Sequence, residues 1–411
     1  MSTPPTVDAA HVIADLRELD RRTGGPDGAL RLCWGEEWRQ ARAFLTELLA
    51  EIGIDPERDE AGNLWARLEG ESEPALVVGS HLDSVPAGGW LDGALGVMAG
   101  LGVLRAWAGS EERPPRTLAL VDWADEEGAR FGRSLFGSSA FSGTLDPDDV
   151  RELRDADGRG VAEVLASNDV DLDRVLECGA RREGLGAYLE LHIEQGPVLE
   201  TEGAGPAAVS GCAGVERWRF DFRGQASHAG TTPMDMRRDA GVAAAATTFT
   251  VKAIPEEEGG VATVGQLDLK PGVVTVVPGE ATISVDLRNP DAEALARMLQ
   301  RARDAASGIA DEQGCELVTE QVWQIEPIPF DPDLVALALD TVTSAGGRAE
   351  PMTSGALHDA AEVARVLPSA MVFVPSIGGI SHAKEEDTSE SDLALGIEVF
   401  GTVANAVLSR G

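Results

Sequence analysis

Five of the six histidines in this chain lie in short phrases rich in glycine and acidic residues. In order they are His81-Leu82-Asp83-Ser84 followed by Trp90-Leu91-Asp92-Gly93, then Asp125-Glu126-Glu127-Gly128. Leu191-His192-Ile193-Glu194-Gln195-Gly196 and Ser227-His228-Ala229-Gly230 come next, with two further phrases around His358 and His382. Imidazoles and carboxylates delivered together from separated loops are what a water-activating metal centre needs. Only His11 lacks such a context, and the pattern points to a metallohydrolase.

Each residue has a plausible place in such a centre. His81 follows the apolar run Leu76–Ser80, at the carboxyl end of a strand, where open α/β sheets carry their sites. Asp83, two residues on, can hold that imidazole from behind. Asp92 follows the Gly88-Gly89 turn, and its two diverging oxygens could reach two ions. Glu126 and Glu127 end the next strand, beyond Val121. Neighbours in extended chain point opposite ways, so one can bind metal while the other faces the substrate water. His192 ends the run Ala187–Leu191, and His382 lies in the loop after Gly378-Gly379. Three imidazoles, two ligating carboxylates and one free carboxylate suit a pair of ions about 3.5–4 Å apart. The nitrogen and oxygen donors favour zinc first, with manganese, cobalt or nickel as alternatives.

These residues need a scaffold, and the patterning supplies one. Val12, Leu16 and Leu19, then Trp38, Ala41, Phe44, Leu45, Leu48 and Leu49, recur at helical spacing between residues 7 and 54. Short apolar runs follow at Leu64–Leu68, Ala75–Gly79 and Thr117–Val121, with a helix from Gly93 to Trp107. Buried strands alternating with helices predict an α/β fold, a mainly parallel sheet flanked by helices. From near Ala208 the pattern becomes strand (215–222), helix (237–252), strand (260–269), strand (280–287), helix (291–312) and strand (315–323). That β-α-β-β-α-β order is the ferredoxin-like signature. The α/β pattern then resumes through Leu334–Ala345, the strand Ala370–Val374 and the helix Ser389–Leu408. Residues 1–207 and 325–411 are therefore expected to form one discontinuous domain, with 208–324 inserted.

Composition narrows the partners. Formal net charge is −36, from 70 acidic against 34 basic residues, and that field opposes nucleic acid and anionic membranes. No apolar run reaches the roughly 18 residues of a membrane span. Met1-Ser2-Thr3-Pro4-Pro5 has no basic residues leading into an apolar stretch, so no signal peptide is expected. Cys33, Cys178, Cys212 and Cys315 form no Cys-x-x-Cys pair and read as reduced cysteines of a cytoplasmic protein.

The longer phrases carry a resemblance. Gly79-Ser80-His81-Leu82-Asp83-Ser84-Val85, Glu126-Glu127-Gly128-Ala129-Arg130-Phe131, Glu190-Leu191-His192-Ile193-Glu194-Gln195-Gly196-Pro197 and Gly224–Met234 are similar to those of the L-carbamoylase and allantoate amidohydrolase family. That family is a branch of the aminoacylase/carboxypeptidase superfamily, and the resemblance runs from about Asn63 to Asn405. It implies that His81, Asp92 and His192 bind one divalent ion and that Asp92, Glu127 and His382 bind a second. It implies Glu126 as general base and Gln195, His228, Arg288 and His358 as substrate contacts. His228 would act across a homodimer interface made by the inserted domain, which would serve as both lid and dimerisation domain.

The implied reaction is hydrolysis of a linear amide or carbamoyl C–N bond beside a carboxylate, with His228 assisting the oxyanion. Arg288 would grip the carboxylate with its planar fork. The chain departs from the family pattern at Gly102 and Lys384, and at the substrate-facing Thr275 and Leu357. Thr275 stands for an asparagine and Leu357 for a glycine. The added bulk of Leu357 ranks N-carbamoyl-L-amino acids above allantoate as substrate.

Overall fold

The computed structural model describes residues 4–410; Met1, Ser2 and Thr3, part of the N-terminal stretch read above, lie outside the described residues. Four strands, Ser369–Val374, Leu185–Ile193, Ala75–His81 and Leu118–Trp123, lie side by side in that order and parallel. Nearly every residue in them is buried on both faces. That is why they read as continuous apolar runs rather than alternating ones. The strand Leu64–Leu68 flanks the group antiparallel to Leu118–Trp123, and Ala207–Cys212 flanks it antiparallel to Ser369–Val374. The α/β architecture is therefore a mixed sheet with a parallel centre.

Helices cover the sheet. Ala9–Thr23, Glu36–Glu51, Ala94–Ala108, Pro332–Ser344 and Glu390–Leu408 contribute Leu16, Leu49, Val97, Leu101, Ala338 and Phe400 to one continuous core. The last helix qualifies the reading that no membrane-length apolar segment exists. It has 19 residues and a mean hydropathy of 1.3, long and apolar enough to cross a bilayer. Over half of it is buried within the protein, through Leu393, Ile397, Val403 and Val407.

Two units separate, residues 1–211 with 330–411, and Cys212–Pro329. Both boundaries differ from the sequence estimate of 208 and 324. At the first, Ala207, Ala208 and Val209 pair with Phe373, Val372 and Met371, so this strand belongs to the large sheet. Cys212–Pro329 holds a five-stranded antiparallel sheet in which Glu280–Asn289 and Gly214–Arg223 are central and Glu316–Ile325 forms one edge. The segment expected as one strand over 260–269 is two, Val261–Thr263 and Leu267–Lys270, both paired to Glu280–Asn289. Thr263 faces Asp286 and Leu267 faces Ile283, so the edge carries one residue more than its partner and breaks there. The helices Ala240–Ala253 and Ala292–Glu312 share a core with the sheet through Phe220, Phe222, Ile283 and Met298.

One buried ion pair ties the first unit's sheet to its loops. Arg42 Nε donates to Asp122 Oδ2 at 2.6 Å, and Asp122 Oδ1 accepts the Leu82 N–H at 2.8 Å. Asp122 is fully buried and Arg42 nearly so. Removing one partner strands the other charge in the interior. Arg42→Ala is expected to lower unfolding free energy by about 3–5 kcal/mol, measured by urea denaturation against wild type.

Candidate metal centre

The four parallel strands end together, and the chemistry sits at those ends. His81 closes its strand opposite Trp123, and His192 stands opposite Phe373. Glu126 and Glu127 follow Trp123, and His382 follows the strand that ends at Val374. The two glutamates are not in extended chain, as the sequence suggested. They lie in a bend entered through Asp125, whose φ is +58°. Asp83 fixes that bend: Oδ1 accepts the Glu126 N–H at 3.2 Å and Oδ2 the Glu127 N–H at 3.1 Å. Gly93, at φ +63°, leaves the space that the His81 ring occupies, so the Asp92 loop can close over it.

Two ligand groups share one carboxylate. Asp92 Oδ1 lies 3.2 Å from His192 Nε2 and 3.7 Å from His81 Nε2. Asp92 Oδ2 lies 3.3 Å from His382 Nε2, which is 3.4 Å from Glu127 Oε2. His81, Asp92 and His192 thus form one set of atoms with metal-binding spacing, fully buried, and Asp92, Glu127 and His382 form a second, more open one. Glu126 stands apart from both sets, with Oε2 3.6 Å from His81 Nε2.

The imidazole tautomers show what belongs between these atoms. His81 Nδ1 lies 3.0 Å from the Asp83 carbonyl and His192 Nδ1 2.9 Å from the Ile193 carbonyl. A carbonyl only accepts, so each Nδ1 carries a hydrogen and each neutral ring turns an Nε2 lone pair towards Asp92. His192 Nε2 is buried and makes no hydrogen bond. Lone pairs facing carboxylate oxygens require a cation between them, and nitrogen and oxygen donors in this arrangement fit a divalent metal ion.

The electrostatics say the same. Burial disfavours the charged form of Asp92, but His192 and His382 outweigh it and hold its carboxyl well below the usual range. Burial, and then Asp359, Glu127, Asp83 and Asp92, push Glu126 well above it. Burial and Asp92 raise Glu127 to about 8. For His192, burial opposes the charge, yet Asp92 raises it to about 9; Asp92 also raises His382 to about 9, against burial. A proton takes the cation's place when metal is absent. Burial dominates at His81, which is lowered.

Other expected residues fall into two groups. Gln195 sits on the shared carboxylate: Nε2 donates to Asp92 Oδ2 at 2.9 Å and to Ser381 Oγ at 3.2 Å. His358 is buried edge-on against His192, with ring centres 4.4 Å apart, and its Nε2 lies 2.9 Å from Ser354 Oγ. His228, Thr275 and Arg288 belong to the other unit. There His228 is exposed, its Nδ1 accepts the Gly230 N–H at 3.1 Å, and the Ala229 N–H binds the Thr275 carbonyl at 2.9 Å. Arg288 Nε donates to Asp286 Oδ1 at 2.9 Å.

Two contributors escaped the sequence reading. Glu386 accepts the Leu91 and Asp92 N–H groups at 3.2 and 3.0 Å. It sits in Lys384-Glu385-Glu386-Asp387, which reads as a solvated charged run. Arg31 is fully buried and donates through Nε to the Leu82 carbonyl at 2.7 Å. The signal for it was a single charge inside the apolar phrase Leu30-Arg31-Leu32-Cys33-Trp34.

The profile of the peptidase family M20/M25/M40 matches residues 77–406 of the chain. The chain belongs to this family. Among M20/M25/M40 relatives, it is 36% identical to an N-carbamoyl-L-amino acid amidohydrolase of Geobacillus stearothermophilus, over 94% of this chain and 95% of the relative. It is 34% identical to an allantoate amidohydrolase of Bacillus subtilis, over 91% of each. A crystal structure of an amidase of the hydantoinase/carbamoylase family from Burkholderia multivorans superposes with a TM-score of 0.92. The identity is 33%, covering 99% of this chain and 100% of that one.

The metal-free site has a signed pH dependence. His192 and His382, raised to about 9, and Glu127, raised to about 8, bind more protons folded than unfolded. Stability therefore falls as pH rises through these values. His81 and His358, lowered by burial, act the other way only below the ordinary histidine value of about 6.5. Chelated protein should lose melting temperature steadily between about pH 7 and 9, and saturating zinc should flatten that slope in the same thermal scans.

Proposed function

We propose that the chain is a metal-dependent amidohydrolase that cleaves a linear carbamoyl or amide C–N bond, with N-carbamoyl-L-amino acids as its substrates. The carrying observation is the pair of ligand sets that share Asp92, with one further carboxylate, Glu126, left beside them. His81, Asp92 and His192 would hold one divalent ion and Asp92, Glu127 and His382 a second, zinc fitting best. Bound there, two cations would acidify water, polarise a carbonyl oxygen and favour the ionised form of Glu126.

The chain's own residues do the rest. Glu126 takes a proton from the attacking water and returns it to the leaving nitrogen as the C–N bond breaks. With a carbamoyl substrate, the amino acid leaves with that proton, and the carbamate splits into carbon dioxide and ammonia. Because His228 Nδ1 accepts the Gly230 N–H, the neutral ring carries its hydrogen on Nε2. Nε2 is then a donor suited to an oxyanion. Arg288 and Thr275 are the proposed contacts of the substrate carboxylate, and Gln195 and His358 are proposed to contact the substrate as well. Leu357 adds bulk that disfavours allantoate, the second reading, which relatives named allantoate amidohydrolase keep in view.

The unit Cys212–Pro329 is proposed to pair with its copy in a homodimer. Phe249 is 78% exposed on the same helix face as Val242, and Val261, Leu267 and Leu269 are exposed on the neighbouring edge strands. An apolar patch joined to an open strand edge supports a self-complementary contact. The four cysteines are all buried, and Cys33, Cys178 and Cys315 are free thiols, which supports a reducing, cytoplasmic setting.

Glu126→Gln should keep the wild-type metal content by mass spectrometry yet lose roughly 10²–10⁴-fold in ammonia release from an N-carbamoyl-L-amino acid. His382→Ala should lose metal as well as activity. An active Glu126→Gln enzyme would transfer the base role to another group, and full turnover after chelation would end the metal reading. A mixing experiment addresses His228. Glu126→Gln and His228→Ala chains, each inactive alone, should regain partial activity together, since one site of the heterodimer is then intact. Failure to complement, with subunit exchange verified by mass-tagged chains, would remove His228 from the partner's site.

A further inference from the structure

The reaction leaves the buried carboxylate of Glu386 without a role. Glu386 is 1% exposed, and a Cβ at Gly89 would collide with it, so the Gly88-Gly89 turn packs directly on its side chain. Its two oxygens have different partners. Oε1 accepts the backbone N–H groups of Leu91 and Asp92, at 3.2 and 3.0 Å. Oε2 accepts the Ser381 hydroxyl at 2.8 Å.

Ser381 is the pivot. Its Oγ also lies 3.3 Å from Asp92 Oδ2, the oxygen that faces His382 and the Glu127 group. A hydroxyl has one hydrogen, and Ser381 must direct it to one acceptor. The shorter contact, to Glu386, takes it. Gln195 Nε2, 3.2 Å from the same Oγ, can only donate and keeps the hydroxyl turned that way.

We propose that Glu386 is a positioning residue: Asp92 Oδ2 already accepts the Gln195 amide at 2.9 Å, and by taking the Ser381 hydrogen Glu386 spares it a second hydrogen bond and leaves its remaining lone pair for the cation of the Glu127/His382 set. The inference rests on the metal reading above. It also explains why the two oxygens of Asp92, identical in chemistry, serve sets of different character. Oδ1 faces only imidazoles, whereas Oδ2 has a hydroxyl within reach that would compete with a metal ion.

Glu386→Gln separates this role from mere packing. Two backbone N–H groups need an acceptor at the Oε1 position, so the new amide must place its oxygen there and its nitrogen at Ser381. That nitrogen only donates. Ser381 then has to accept, and its own hydrogen turns onto Asp92 Oδ2. The variant preserves the loop contact and changes the hydrogen's direction. Because it also removes a negative charge, the double variant Glu386→Gln/Ser381→Ala provides the control: charge is still missing, but the competing hydrogen is gone.

Metal-free full-length chains, checked for wild-type circular dichroism, would be titrated with zinc alone against a chromophoric chelator. Wild type should take up two ions. Glu386→Gln should weaken one of them about 10- to 100-fold, the range for partners behind metal ligands, and leave the other nearly unchanged. The double variant should recover most of that loss. Unchanged zinc binding in Glu386→Gln would overturn the proposal with the metal centre intact. So would a double variant as weak as the single one, since charge alone would then account for the loss. A wild-type chain that takes up fewer than two ions would overturn the metal reading instead, and the proposal with it.

Discussion

Asp92 carries one negative charge and is asked to satisfy lone pairs on both of its sides. Three imidazoles and two further carboxylates converge on it, and the charge is balanced only if the imidazoles take up protons or a cation enters. Such a cluster is unstable unless something positive occupies it. The weakened acidities of Glu126 and Glu127, and the raised basicities of His192 and His382, are one fact seen from several groups. Each group would release strain by holding a proton, and a divalent ion relieves all of them together. The fold must resist the repulsion in the meantime. It does so by hanging the candidate ligands on and beyond the ends of four parallel strands buried on both faces, where slipping by one residue would force every side chain into the opposite packed layer.

What surrounds the ligands is built from the same economy of hydrogen bonds. Asp83 uses both oxygens on the backbone of the Glu126–Glu127 bend, and Glu386 grips the Asp92 loop in a similar way. Asp122 joins Arg42 to the loop after His81. Buried acids here act as clamps on backbone N–H groups, which lets loops without regular structure hold ligand atoms to narrow tolerances. Arg31, fully buried, is a fixed positive charge close enough to feel Glu386, Asp92 and Asp83.

Much of this was readable from residue order. Continuous apolar runs marked the parallel strands because two-sided burial leaves no polar face. The candidate site residues His81, His192 and the Glu126–Glu127 pair could then be placed at strand ends by counting. The failures have physical causes. Glu126 and Glu127 diverge because Asp125 turns the chain through a left-handed conformation, and a single sequence does not announce that. Glu386 was hidden because a carboxylate in a charged run looks the same whether water or backbone N–H groups surround it. Ala207–Cys212 is short and apolar, and only its partner strand decides which sheet it joins.

Charge at long range and at short range pull in opposite directions in this protein. A chain with a formal charge of −36 repels an anionic substrate, but at physiological salt that field fades over about 8 Å. Recognition of a carboxylate must therefore come from a cation fixed at contact distance. Arg288 is the cation proposed for that role, and its neighbours hold its geometry. Asp286 orients it through Nε and also binds Arg217, whose Nη2 lies 2.7 Å from Oδ2. Burial opposes ionisation of Asp286, yet the two guanidinium groups hold it below its usual range. Arg217 thus offsets part of the Asp286 charge that faces Arg288. A lysine in place of Arg288 would keep the charge and lose the fork, so the geometry of the guanidinium, held by Asp286, is what the arrangement preserves.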